Sequence, residues 1–139
     1  FKVQADIWSC PSFNELKRDG DEVSRWNLLH PDKKARQCHV TQCLESTEGP
    51  VVAATDYVKL FADQIRAYVP KSYAVLGTDG FGRSDSREAL RKHFEVDRYY
   101  ITVAALNALV GEGGISAKTV KAAIKKYGID SEKNNPLLS

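Results

Sequence analysis

The chain contains no methionine, only three cysteines, two tryptophans and almost no excess of either charge, and each shortage excludes something. Cys10, Cys38 and Cys43 are an odd number in a domain of ordinary size, which argues against a disulfide framework and for a reducing, cytoplasmic compartment. Twenty basic residues face eighteen acidic ones, a net charge of +2 with the signs interspersed. Neither nucleic acid nor an anionic membrane is therefore expected as the main partner. No apolar run reaches the ~18 residues of a membrane span. Cys38, His39 and Cys43, with His30 upstream, match no standard spacing of zinc ligands, so no metal site is expected. The absence of methionine, with a strand-like pattern starting within three residues of Phe1, leads to the expectation of an N-terminally truncated piece of something longer.

The rest of the composition suits a packed domain. At 139 residues and 42% hydrophobic, residues 1–139 read as a single domain, one that should bury roughly two thirds of its unfolded surface. The stretch from Tyr73 to Glu95 organises it. Tyr73 to Leu76 is a short apolar run bounded by Pro70 and Gly77, the pattern of a buried strand. Gly77, Gly80 and Gly82 follow within six positions and mark a turn able to take positive φ or to approach another surface closely. Asp85 with Glu88 has capping-box spacing, and Ala89, Leu90, His93 and Phe94 recur on one helical face.

Before it, the spacing predicts a strand through Val3 to Trp8, a helix from Ser12 to Gly20, and a second helix from Glu22 to His30 closed by Pro31. Residues 32–49 read as a polar surface excursion with one short helical turn, anchored by Val40 and Leu44. Pro50 to Thr55 reads as a strand. Thr55 or Asp56 is placed to cap a continuous helix whose stripe runs from Val58 through Val69. Beyond Glu95, Asp97 caps a helix over Arg98 to Val110, and Ser116 caps a last helix stopped by Gly128. The tail at 130–139 is polar and expected to be loosely held. Strand, helices, strand, helix, strand and three helices make an α/β fold: a mostly parallel sheet with helices on both faces.

Two kinds of chemistry can be weighed. Gly80 and Gly82 ahead of a helix, with Arg83 and Ser84 nearby, suggest a phosphate cradle, so a free-standing anion-binding regulatory module built on the Gly77–Ser86 loop is one reading. Asp85 opposes it, because a carboxylate at the helix start competes for the same amides. His93 lies mid-helix with no nucleophile near it in sequence, and the carboxylate pairs Asp19/Asp21 and Asp79/Asp85 have no defined partner. The residues by themselves give no self-sufficient active site.

The runs GTDGFGRSDSREALRKHFEVD (77–97), ADIWSCPSFNELKRDG (5–20), RWNLLHP (25–31) and ATDYVKLFADQIRAYVP (54–70) closely resemble one family over nearly the whole chain. It is the C-terminal domain of the homodimeric-type, bacterial pyruvate dehydrogenase decarboxylase component, a relative of transketolase. The resemblance implies a transketolase-like mixed, mostly parallel sheet between helices. It implies a parent enzyme that uses thiamine diphosphate and magnesium to decarboxylate pyruvate and acetylate a lipoyl group. The cofactor would be held by two preceding domains across a homodimer interface, leaving no catalytic, cofactor-binding or metal-binding residue in this piece, which alone should be inactive. Its partners would be the other domains of its own chain, the homodimer partner and, through the parent, a dihydrolipoyl acetyltransferase. The family's domain begins with a strand and helix upstream of Phe1, so an unpaired sheet edge and self-association are expected. Within it, the loop Phe81, Gly82, Arg83, Ser84 and Asp85 is the expected interdomain or interface element, because glycines flank an aromatic and an arginine. Gly77, Thr78, Asp79, Gly80 and Asn107 form an imperfect echo of the family's thiamine motif in the wrong domain.

Overall fold

Two four-residue apolar runs form the sheet. β1 (Val51–Ala54) and β2 (Tyr73–Leu76) pair in parallel, with Val51 opposite Tyr73 and Ala54 opposite Leu76. The structure is a computed structural model and describes residues 1–138. The helices are α1 (Phe13–Leu29), α2 (His39–Glu45), α3 (Lys59–Asp63), α4 (Arg87–His93), α5 (Arg98–Gly111) and α6 (Ala117–Tyr127). Single 3-10 turns lie at Arg66–Tyr68 and Pro136–Leu138.

Strand alternation divides the packing. Val51, Ala53, Tyr73 and Val75 join a core with Cys38, Val40 and Leu44 of the α2 region, Ile65 and Val69 beside the first 3-10 turn, and Phe13, Leu16 and Val23 of α1. α5 also packs against both strands yet gives no residue to that core, so helices cover the sheet on both faces. A second core joins α5 to α6 through Leu106, Val120 and Ala123. The α/β reading stands, with a sheet of two parallel strands among the described residues.

Several local expectations are overturned. Val3 to Trp8 is not a strand: residues 1–11 are exposed and enter no ladder, with Ile7 97% accessible. The two helices expected on either side of Gly20 are one. Gly20 is buried inside α1, where an added Cβ would meet the Tyr68 ring, with Cζ at 2.6 Å and two ring carbons closer. This glycine admits a neighbour and interrupts nothing. Residues 32–49 are not a surface excursion only. Asp19 Oδ2 accepts the His39 amide at 2.6 Å and sets the start of α2, which buries Val40 and Leu44.

The helix expected over Val58–Val69 is broken. The Tyr73 hydroxyl donates to the Ala62 carbonyl at 2.8 Å, taking the acceptor that the Arg66 amide would use in a continued helix. The chain tightens into i to i+3 bonds instead, Tyr68 N to Ile65 O at 2.9 Å and Val69 N to Arg66 O at 3.3 Å. Two other signals are met. Asp97 Oδ1 accepts the amides of Tyr99 and Tyr100 at 2.8 and 2.9 Å, and Gly128 ends α6 in the left-handed region at φ 63°.

Candidate functional site

The glycine turn leaves the C-terminal end of β2, the end of a parallel strand at which α/β proteins place their sites. Its first half is tightly built. A Cβ on Gly77 would stand 2.6 Å from the Lys59 nitrogen and 2.7 Å from the Tyr57 oxygen, so only glycine lets the turn lie against the start of α3. Thr78 donates its amide to Tyr57 O at 2.8 Å and its hydroxyl to Asp56 O at 3.1 Å. Asp79 Oδ2 accepts the Lys59 amide at 3.0 Å, so the cap of α3 comes from twenty residues away. Thr55 and Asp56, the expected caps, do other work. Thr55 Oγ1 accepts the Tyr57 amide at 3.2 Å, and Asp56 pairs with Arg91 at 2.8 Å, a hydrogen bond that holds the Asp56 carboxyl below its ordinary range.

The second half projects outward. Phe81 is 81% accessible, and Gly82, Arg83, Ser84 and Asp85 are all exposed. A Cβ on Gly82 would meet nothing within 4 Å. Two of the amides that an anion would use are taken by protein oxygens. Ser86 caps α4 by accepting the Ala89 amide at 3.2 Å, and Asp85, expected as that cap, accepts the Ser86 amide at 2.7 Å. With both side chains turned onto the helix start, the phosphate-cradle reading of the Gly77–Ser86 loop has no support here.

Behind the loop, α4 ends at His93, whose ring lies edge-on to Phe94 at 4.8 Å. Its enclosed Nε2 has no hydrogen-bond partner among the described residues. Loss of hydration, with the Arg83 and Lys133 cations nearby, pushes the imidazole below the ordinary histidine range. A cleft of about 190 Å³ lies between Lys59, Leu76, Asp79, Glu95 and Pro136, with Phe94 in its lining.

The other candidates do not converge. Cys38 is buried, its Sγ 3.1 Å from Thr41 Oγ1; Cys43 Sγ lies 3.5 Å from His39 Nε2; and Cys10 is exposed. Among the described residues no group of three or more His, Cys, Asp or Glu side chains could hold a metal, and no helix is long and apolar enough to cross a membrane. The thiamine-motif echo does not fit a diphosphate and its metal. Asp79 caps a helix, Thr78 is bonded to backbone, and Asn107 is exposed on α5.

Known proteins supply the context that this geometry lacks. The pyruvate dehydrogenase E1 component of Pseudomonas aeruginosa is 61% identical over 138 residues, 99% of this chain and 16% of that protein. That of Cupriavidus necator is 58% identical over 97% of this chain and 15% of its own length. That of Escherichia coli K12 is 53% identical over 100% of this chain and 16% of its own length. The chain thus spans about a sixth of the length of these relatives. Residues 1–97 match the family described as the transketolase-like TK C-terminal domain, a match to well over half of the chain, and the chain belongs to that family.

Proposed function

We propose that this chain is the non-catalytic assembly and dimer-packing domain of a pyruvate dehydrogenase E1 component. In this reading the parent is a homodimer that decarboxylates pyruvate on thiamine diphosphate with magnesium and passes the acetyl group to the lipoyl arm of a dihydrolipoyl acetyltransferase. Other domains of the parent hold the cofactor. The observation that carries it is identity of 53–61% across 97–100% of the chain to relatives of that name.

Phe81 to Asp85 is the element proposed to dock. An aromatic that is 81% accessible, carried next to an arginine on a turn whose root is fixed by Gly77 and Asp79, suits a preformed contact. The Tyr57 and Phe61 rings, stacked at 5.0 Å, expose further aromatic surface on α3 and the residues before it.

The test is Arg83→Ala in the full-length protein. Loss of a docked arginine should raise the dimer dissociation constant at least tenfold, ~1.4 kcal/mol. Unchanged dissociation together with unchanged pyruvate turnover removes Phe81–Asp85 from the interface. The domain reading is tested separately. The isolated 139-residue chain, supplied with thiamine diphosphate and magnesium, should release no carbon dioxide from pyruvate, and measurable turnover would overturn it.

A further inference from the structure

Three helices end with the backbone pattern in which one residue turns left-handed and two amides bond back into the last turn. In α5 and α6 the left-handed residue is glycine: Gly113 at φ 76° and Gly128 at φ 63°. In α4 it is Glu95, at φ 62°. The bonds are otherwise alike, Glu95 N to Lys92 O at 3.4 Å and Val96 N to Arg91 O at 2.9 Å. A glutamate there carries a backbone penalty that glycine avoids. Something else must justify its side chain.

The Glu95 carboxylate meets Lys133 of the C-terminal tail at 3.1 Å. The same ammonium donates to the His93 carbonyl at 2.6 Å, reaches the Lys92 carbonyl at 3.5 Å, and lies 5.7 Å from the centre of the Tyr100 ring. One lysine thus ties the His93 and Lys92 carbonyls at the end of α4 to the carboxylate beside them. Both side chains are largely shielded, at 28% and 35% accessible, so the pair is less screened than an exposed ion pair. Three residues further on, Pro136 is buried. Its carbonyl carbon would be 3.1 Å from a Cβ on Gly80, its oxygen closer still, and Gly80 stands at φ 129°. The tail therefore grips the molecule at α4 through Lys133 and at the glycine turn through Pro136, forming one wall of the cleft at the end of β2.

We propose that residues 130–138 are a strap, latched by Lys133 on Glu95, that presses Pro136 against Gly80 and so sets the conformation in which the turn presents Phe81 and Arg83. Lys133 and Glu95 are positioning residues: they act on the turn through the tail backbone. The proposal rests on the docking reading of the loop for its consequence in assembly, but not for its effect on the turn itself.

The experiment uses the full-length protein with Lys133→Met, Glu95→Gly and Lys133→Arg. Glu95→Gly removes the carboxylate while suiting the left-handed backbone, so its effect is not helix-end strain. Hydrogen exchange is read at the amides of 78–86 and, as a reference, at β1 and β2. Lys133→Met and Glu95→Gly are expected to raise exchange in 78–86 at least tenfold with strand rates within twofold, and Lys133→Arg, which keeps the donors, to restore it. Turn exchange within twofold of the parent, or an equal rise in turn and strands, overturns the strap. Faster turn exchange with an unchanged dimer dissociation constant supports the strap and removes the docking reading instead.

Discussion

Gly20→Ala tests whether the middle of α1 is glycine for packing. In an unobstructed helix the change should stabilise by ~1 kcal/mol, because alanine loses less backbone freedom on folding. Here the new methyl would meet the Tyr68 ring at 2.6 Å from Cζ, and the ring cannot swing aside without loss. Its hydroxyl donates to Asp21 at 2.5 Å, its carbonyl accepts the Thr41 hydroxyl at 2.7 Å, and its amide is bonded to Ile65 at 2.9 Å. Overpacking against such a fixed group costs ~2–3 kcal/mol, so the net effect is a loss of ~1–2 kcal/mol. With Tyr68→Ala already in place the clash disappears, and Gly20→Ala should then stabilise by ~1 kcal/mol, a coupling of ~2–3 kcal/mol in the double-mutant cycle. Urea unfolding followed by far-ultraviolet circular dichroism measures all four proteins. Stabilisation by Gly20→Ala alone, or the same effect in both backgrounds, would refute the close-approach argument.

Burial, the chief cause, pushes the Tyr73 hydroxyl from 10.0 up to about 12. A raised folded value means that its contribution is complete below pH 10 and lost as pH climbs from there to 12. Unfolding free energy should fall by about 2–3 kcal/mol across that window. Tyr73→Phe should flatten the decline while losing ~1 kcal/mol at neutral pH with the bond to Ala62, and an unchanged slope in the variant contradicts the assignment. Two glycines of one turn should also behave oppositely. Gly77→Ala meets backbone atoms of Tyr57 and Lys59 that cannot rotate away and should destabilise by ~3 kcal/mol, whereas Gly82→Ala meets nothing and should stay within ~0.5 kcal/mol. Equal midpoints for the two variants in thermal unfolding would show that the turn is not seated on α3 as described.

Much of the candidate site was legible because its signals are local. The four residues of β2, the glycine turn, the exposed Phe81–Asp85 segment and a helix beginning just after it all follow from short-range spacing. The cap of α4 was misplaced by one residue, since Asp85 and Ser86 are both good caps and only the folded chain decides which oxygen faces Ala89. Asp79 as the cap of α3, and Lys133 as the partner of α4, carry no short-range signal at all. Their partners lie 20 residues away and about twice as far.

What the sequence by itself determined is therefore whatever a few adjacent residues settle: which runs are apolar enough for strands, where Asp97 and Gly128 bound helices, and, through long shared motifs, the family. Tertiary structure alone decided how those pieces were used. The Val58–Val69 stripe has a helical period, yet the Tyr73 hydroxyl takes the Ala62 carbonyl and the helix breaks. Gly20 has the local signature of a break, yet lies inside a helix because Tyr68 needs the space. Residues 1–11 have strand-like apolar positions, yet a strand exists only where another backbone completes its hydrogen bonds, and among the described residues none does.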